Sequence, residues 1–161
     1  MKKYLSIALF LIFQISFGQE NTTSYYFIRH AEKVDASKNP NLSAIGFERS
    51  RLWDDIFAEI KFDAIYSTDY KRTLETVTPI AATQKIAIKL YDPNTLHIET
   101  FKKENVGKKV LIVGHSNSIP NFVNQIISEK IYPDIADVTF GNLYIVITSN
   151  AKINHQLLKL R

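Results

Sequence analysis

Short apolar runs alternate with longer amphipathic segments along most of the chain. The apolar runs are rich in β-branched and aromatic residues, as expected for buried strands; they are YYFIR at 25–29, DAIYS at 63–67, IAIKLY at 86–91 and VLIVG at 110–114. The segments between and after them have helical periodicity and cover 44–60, about 70–84, 94–105 and 116–128. This order predicts strands and helices in alternation.

The first predicted helix has its apolar positions at helical spacing. Ser43 is a suitable N-cap, and the apolar positions are Ile45, Leu52, Ile56, Phe57 and Ile60. Charged residues fill most of the remaining positions. We therefore expect the apolar stripe to face the core and the charged side to face water.

The alternation of strands and helices predicts an α/β fold, a three-layer αβα sandwich around a mainly parallel sheet. The tail, NLYIVITSNAKINHQLLKL at 142–160, has two apolar runs separated by Ser149, Asn150 and Ala151. It predicts a hairpin that adds an antiparallel edge to the sheet. Because there is no linker, repeat or low-complexity tract, we expect residues 19–161 to form one domain.

The first 18 residues, MKKYLSIALFLIFQISFG, have the layout of a secretory signal peptide. Lys2 and Lys3 precede an apolar stretch, which ends in small residues before Gln19. The stretch is shorter than the roughly 20 apolar residues that cross a bilayer. We expect cleavage near Gln19, no stable membrane anchor after removal of the signal, and a periplasmic or secreted protein; an uncleaved anchor is the alternative.

The composition narrows the possible functions. The chain has 161 residues, no cysteine and a formal net charge of +4. The missing cysteine excludes disulfides, thiolate metal sites and a cysteine nucleophile. Lys2 and Lys3 contribute half of the net charge, and the remainder shows no clustered basic run, so we do not expect nucleic acid as a partner.

Cationic and imidazole side chains stand where three predicted strands end. Arg29 and His30 follow the first strand, Arg72 lies at the start of the helix after the second, and His115 follows VLIVG. The carboxyl ends of parallel strands meet at one edge of a sheet, where ligands bind. Four such groups together need a negative partner, which favours a small anion.

Three segments resemble the signatures of the histidine phosphatase superfamily, also called the phosphoglycerate mutase-like family. They are FIRHAEK at 27–33, YSTDYKRTLET at 66–76 and VLIVGHSNS at 110–118. The family places a glycine after the Arg-His pair, whereas this chain has Ala31. The short span from Thr76 to Lys109 resembles the small, lidless branch that includes phosphohistidine phosphatases.

The resemblance implies a mechanism without metal or cofactor. His30 would attack phosphorus as a neutral ring, with its other ring nitrogen donating to a backbone carbonyl. Arg29, Arg72 and His115 would bind the phosphate oxygens. Asp92 is the candidate general acid, Glu32 is its rival by proximity, and some small members of the family manage without an acid.

The resemblance leaves the substrate open. A lidless pocket suits a small phosphomonoester or a protein phosphohistidine better than a mutase reaction. Because the signal peptide predicts export, the small phosphomonoester is favoured over the protein phosphohistidine. The expected partner is therefore a small phosphorylated substrate or phosphate. The sequence gives no oligomeric state.

Two other functions are compatible with parts of the sequence. VLIVGHSNS imitates a serine nucleophile elbow at Ser116, with Asp134 or Asp137 and then His155 downstream, although Ser118 replaces the final glycine of that motif. An inactive phosphate-binding module would keep the anion pocket without turnover.

Overall fold

The computed structural model describes residues 22–150 and 152–160, so the predicted signal peptide lies outside the described residues. The strands are β1 (Thr23–Arg29), β2 (Ala64–Ser67), β3 (Ile88–Leu90), β4 (Lys109–Gly114), β5 (Asn142–Ser149) and β6 (Lys152–Lys159). The helices are α1 (Ala44–Ile56), α2 (Lys71–Gln84), α3 (Ile98–Glu104) and α4 (Ser118–Ile127).

The six strands form one mixed sheet in the order β3-β2-β4-β1-β5-β6. The pairs β3–β2, β2–β4 and β4–β1 are parallel, and Ile112 of β4 lies between Phe27 of β1 and Tyr66 of β2. The pairs β1–β5 and β5–β6 are antiparallel. The predicted α/β sandwich with an antiparallel C-terminal edge is thus confirmed.

Helices cover both faces of the sheet and divide the core in two. On one face, Phe101 of α3 and Phe122 of α4 pack with Phe27 of β1. On the other face, Trp53 of α1 and Ile80 of α2 join the apolar residues of β1, β2 and β4. The central strands are buried on both sides, which explains their nearly continuous apolar sequence.

The orientation predicted for α1 is wrong at three of its five apolar positions, whereas Phe57 and Ile60 do pack in the core. Ile45, Leu52 and Ile56 are 62%, 41% and 36% exposed, whereas Gly46, Ser50 and Trp53 are buried. The small residues Gly46 and Ser50 allow close packing, and a Cβ on Gly46 would lie only 2.1 Å from the Glu32 carbonyl oxygen. Contacts between elements therefore selected a face that hydrophobicity alone does not predict.

Ser50 also explains how α2 continues through Pro79, which lies inside the helix. A proline has no N–H, so the carbonyl of Glu75, four residues earlier, loses its helical partner. The Ser50 hydroxyl lies 2.9 Å from the carbonyl oxygens of both Glu75 and Thr76. A hydrogen bond from α1 thus replaces the one that Pro79 removes from α2.

The third strand and the following helix are shorter than their sequence patterns predict. Asp92 and Asn94 form a turn in which Asp92 Oδ1 accepts hydrogen bonds from the backbone N and side-chain Nδ2 of Asn94. The following helix, α3, begins only at Ile98. This turn therefore lies at the carboxyl end of β3, beside the ends of the other parallel strands.

None of the described helices is long and apolar enough to cross a bilayer.

Candidate active site

His30 lies directly after β1 and is 4% exposed. Its backbone N–H donates to the Gly114 carbonyl, which holds the end of β1 against the end of β4. Its side-chain Nδ1 lies 2.7 Å from the Ala31 carbonyl oxygen. Because a carbonyl only accepts, Nδ1 carries the proton and the lone pair is on Nε2. This is the hydrogen bond to a backbone carbonyl expected for a nucleophilic imidazole.

The surroundings keep His30 neutral. The pKa of His30 is lowered to about 3, foremost by burial; the Ala31 carbonyl opposes this shift, and Arg29, His115 and Arg72 add to it. A neutral ring with an unprotonated Nε2 is the form that can attack phosphorus.

Ala31 occupies the glycine position of the family signature without disturbing this arrangement. It is fully buried, its N–H donates to Thr76 Oγ1 at 2.9 Å, and its carbonyl accepts from His30. Thr76 Oγ1 in turn donates to the Arg72 carbonyl. Thr76 therefore ties the backbone beside His30 to the first turns of α2.

His115 and Arg72 are in direct contact. The Nδ1 of His115 lies 3.3 Å from Arg72 Nη2, and its Nε2 lies 3.0 Å from Thr68 Oγ1. The Arg72 guanidinium also lies 4.5 Å from the centre of the Tyr70 ring. Burial, followed by Arg72 and Arg29, lowers the pKa of His115 to about 4. In this neutral state His115 has no N–H free for a phosphate oxygen, so the donor role expected of it requires an added proton.

The Arg29 guanidinium makes its hydrogen bonds to the loop before β5. Its Nη1 donates to the carbonyl oxygens of Ala136, Asp137 and Thr139 at 2.9 to 3.1 Å. Its buried Nε has no hydrogen-bond partner, and Nη2 has only the Asp137 carboxylate at 3.9 Å. Burial lowers the pKa of the Arg29 side chain, but a guanidinium remains charged in proteins. Arg29 therefore anchors the loop before β5 and adds positive charge beside His30.

The structure brings the four predicted groups together. The ring centroids of His30 and His115 are 5.6 Å apart, and Arg72 contacts His115. Arg29 immediately precedes His30, and its charge acts on both histidines. Two guanidinium groups around two neutral imidazoles make a partly buried positive site suited to an oxyanion.

A cavity of about 820 Å³ opens beside this cluster. Its walls include Tyr70, Arg72, Asp92, His115, Asn117 and Lys130. Arg29 and His30 do not line it, and each is only 4% exposed. The nucleophile candidate thus lies beside the cavity, where His115 and Arg72 separate it from the open space.

The two candidate acids have different surroundings. Asp92 is exposed in the cavity wall, with Oδ1 engaged by Asn94. Glu32 forms a bidentate pair with Arg49, with contacts of 2.7 to 2.9 Å. A carboxylate held in this way serves the packing of α1 and is poorly placed to release a proton. Asp92 therefore remains the better candidate for the general acid.

The sequence analysis missed the threonines that support this cluster. Thr68 and Thr73 are buried at 1% and 0% exposure, and the Thr68 hydroxyl lies 3.0 Å from His115 and 3.1 Å from the Thr73 hydroxyl. The available signal was their position, because both lie within YSTDYKRTLET beside Arg72. Side chains that act through a neighbour have no recognisable pattern of their own.

The residues of the serine hydrolase alternative do not form a triad. His155 lies on the edge strand β6, with its Nδ1 2.8 Å from the Tyr132 hydroxyl. Asp137 lies close to Arg29. Within the described part of the chain, no hydrogen bond links Ser116 to His155, Asp134 or Asp137.

Residues 22–150 and 152–160 contain no group of three or more His, Asp or Glu side chains placed to hold a metal ion.

Comparison with known proteins agrees with this geometry. The model of the histidine phosphatase superfamily (branch 1) matches residues 25–93, which include the first two motifs, His30 and Arg72. No curated protein matches the chain.

Several solved structures share the fold. The alpha-ribazole phosphatase from Shigella flexneri is 12% identical, with a TM-score of 0.67 over 85% of this chain and 96% of its own. A phosphoserine phosphatase mutant from Entamoeba histolytica is 14% identical, with a TM-score of 0.61 over 83% and 95% of the two chains. The protein histidine phosphatase SixA complexed with tungstate is 13% identical, with a TM-score of 0.62 over 84% and 96%.

At these identities the structural comparisons establish the fold, and the family model adds the sequence signatures. The resemblance to the histidine phosphatase superfamily that the motifs predict is therefore confirmed, by the family model over residues 25–93 and by the fold of the described chain.

Proposed function

We propose that this chain is an exported phosphatase that hydrolyses small phosphomonoesters through a phosphohistidine formed on His30. The observation that carries the proposal is the state of His30: a buried neutral ring whose Nδ1 is bonded to the Ala31 carbonyl, with its unprotonated Nε2 among two guanidinium groups.

In the first step, the lone pair of His30 Nε2 forms a bond to phosphorus while the bond from phosphorus to the ester oxygen breaks. Negative charge spreads over the three phosphoryl oxygens, and Arg29 and Arg72 stabilise it. The leaving oxygen takes the bond pair and needs a proton. Asp92, at the cavity wall, is the candidate donor.

In the second step, water attacks the phosphorus of the phosphohistidine. The bond between Nε2 and phosphorus breaks, phosphate is released, and the neutral imidazole returns.

The cavity supports a small substrate. Its volume is within the range of sites that enclose small molecules, and its walls mix charged, amide and aromatic side chains. A protein phosphohistidine is the second candidate, because the cavity is open and a phosphoramidate leaving group needs less help from an acid. An inactive phosphate-binding module is the third.

The mechanism is tested by trapping the intermediate. The purified protein is mixed with a radiolabelled phosphomonoester, quenched, and analysed for protein-bound phosphate that is stable to base and labile to acid. We expect this adduct in the wild type and its loss in His30→Ala. His155→Ala, on the edge strand, is the control and keeps the adduct. An adduct that persists in His30→Ala would rule out His30 as the nucleophile.

The substrate is tested with a panel of phosphomonoesters and a phosphohistidine peptide. A higher kcat/KM for the esters supports the proposal, and a higher value for the peptide favours the second candidate. Phosphate binding without turnover of any member identifies a binding module.

Export is tested separately, by sequencing the amino terminus of the protein recovered outside the cytoplasm. An intact Met1 contradicts cleavage of a signal peptide.

A further inference from the structure

A chain of hydrogen bonds leads from His115 into the protein interior through two buried threonines. The Thr73 hydroxyl lies 2.8 Å from the carbonyl oxygens of Thr68 and Tyr70. Because carbonyls only accept, Thr73 donates its single proton to this pair. The Thr68 hydroxyl, 3.1 Å away, then donates to Thr73 Oγ1.

The direction of this chain determines the role of His115 Nε2. Since the Thr68 hydroxyl proton is committed to Thr73, only the lone pairs of Thr68 Oγ1 are available to His115 at 3.0 Å. Nε2 must therefore be the donor.

The other side of the ring leads to the same conclusion independently. Arg72 Nη2 lies 3.3 Å from His115 Nδ1, and a guanidinium can only donate. Nδ1 must therefore be the acceptor. Both nitrogens specify the neutral Nε2–H tautomer, and a second proton on Nδ1 would face the cation of Arg72.

The dianion of a phosphate monoester presents only acceptor oxygens, and the unprotonated Nδ1 of His115 also only accepts. The two can share a hydrogen bond only if a proton lies between them. We propose that Thr68, oriented by Thr73, is a positioning residue that holds His115 in the Nε2–H tautomer, so that a phosphate group binds together with one proton shared with His115 Nδ1. This inference rests on the proposed function only in taking phosphate as the ligand.

The charged groups around His115 are consistent with this state in the free protein. Arg72 faces it from α2, His30 and Arg29 face it from the end of β1, and the Tyr70 ring contacts it edge-on with centroids 4.9 Å apart. Across the cavity lie Asp69, Asp92, Asp134 and Lys130. Without an anion, the nearby guanidinium groups keep His115 Nδ1 unprotonated. A bound phosphate supplies negative charge, which favours protonation of Nδ1.

The tautomer is tested by nitrogen-15 NMR of the purified protein. We expect a protonated Nε2 and a bare Nδ1 on His115 in the wild type and in Thr68→Ser. In Thr68→Val, which removes the acceptor, this signature should be lost. A protonated Nδ1 on neutral His115 in the wild type would overturn the proposal, and this spectrum decides it even if Thr68→Val does not fold.

The coupled proton is tested by calorimetry of methylphosphonate binding in two buffers of different ionisation enthalpy. At about pH 9, well above the second pKa of a phosphate-type group, this ligand is a dianion without a P–OH proton, and its C–P bond is not hydrolysed. We expect uptake of about one proton per bound methylphosphonate in the wild type and clearly less in Thr68→Val and His115→Gln. Binding without proton uptake in the wild type would overturn the proposal. Neither measurement requires turnover, so the result is independent of whether the protein is a phosphatase.

The rate provides a third measurement. Loss of the group that orients a catalytic imidazole lowers turnover severely in known enzymes, so we expect Thr68→Val to lower kcat/KM by about 10-fold or more. Thr68→Ser should restore most of it. Thr78→Val, which removes a hydroxyl from the exposed face of α2, is the control. A Thr68→Val protein with unchanged rate and unchanged His115 signature contradicts the proposal.

Discussion

At the scale of single residues, the candidate site depends on which atoms donate and which accept. Arg72 shows this most directly, because its Nη2 donates to His115 while its guanidinium packs on the Tyr70 ring. A guanidinium offers several donors in a fixed plane, whereas an ammonium is a point charge without that geometry.

We therefore expect Arg72→Lys to lower kcat/KM by about 100-fold, the usual effect of losing one electrostatic donor to a developing oxyanion. Steady-state kinetics on the best phosphomonoester measures this change. Arg51→Lys on the exposed face of α1 is the matched control. Equal activity of the two variants would show that Arg72 does not stabilise the transition state.

The buried histidines also make folding depend on pH. The pKa values of His30 and His115 are lowered to about 3 and about 4, foremost by burial, whereas an unfolded histidine titrates near 6.5. Between these values the unfolded chain binds more protons than the folded one, so the free energy of unfolding rises with pH across this window. Below about pH 6.5 this stabilisation is progressively lost.

Each histidine contributes at most about 1.4 kcal/mol per pH unit. Denaturant unfolding at several pH values between about 4.5 and 7 measures the slope. His30→Gln should flatten it, whereas His155→Gln, on the exposed edge strand, should leave it unchanged. If the wild type, His30→Gln and His155→Gln show the same slope, His30 is not a source of the pH dependence of stability.

At the scale of elements, contacts between α1 and α2 hold the second motif in place. Ser50 donates to the carbonyl that Pro79 leaves without a helical partner, and Thr76 of α2 bonds the backbone beside His30. The packing of the two helices therefore bears on the position of the nucleophile.

We expect Ser50→Ala to lower the free energy of unfolding by about 1 to 3 kcal/mol, the cost of leaving a buried acceptor unsatisfied. Urea unfolding measures it. Thr78→Ala removes a hydroxyl bond on the exposed face of α2, where water can replace it, and should have a smaller effect. If both variants lose the same stability, the Ser50 bond is not compensating for Pro79.

At the scale of the whole molecule, the anion site joins segments that are distant along the chain. Arg29 and His30 end β1, Arg72 begins α2, and His115 follows β4. A ligand that contacts all of them binds only the folded chain and must stabilise it by mass action.

Phosphate at about 100 times its dissociation constant should therefore add about 2.7 kcal/mol to the free energy of unfolding. Thermal unfolding with and without phosphate measures the shift, with sodium chloride at equal ionic strength as the control. In Arg72→Ala the shift at the same phosphate concentration should be much smaller. An equal shift in this variant would place the anion elsewhere.

The sequence by itself determined the order of strands and helices and the fold class, and it singled out the four residues proposed to bind the anion. Alternating hydrophobicity and the polar residues that follow each apolar run are local signals, and the carboxyl ends of parallel strands must meet. The turn at Asp92 is local too, since Asn94 lies within reach of the Asp92 carboxylate.

Only the tertiary structure decided how those residues are arranged and which atoms they use. The face of α1 that is buried depends on how closely Glu32 can approach Gly46 and α2 can approach Ser50. The tautomer of His115 depends on Thr68, Thr73 and Arg72. The hydrogen bonding of Arg29 depends on where the loop before β5 places its carbonyls. Each is a contact between groups that the sequence pattern does not pair, and the direction of a hydrogen bond is defined only once both partners are in place.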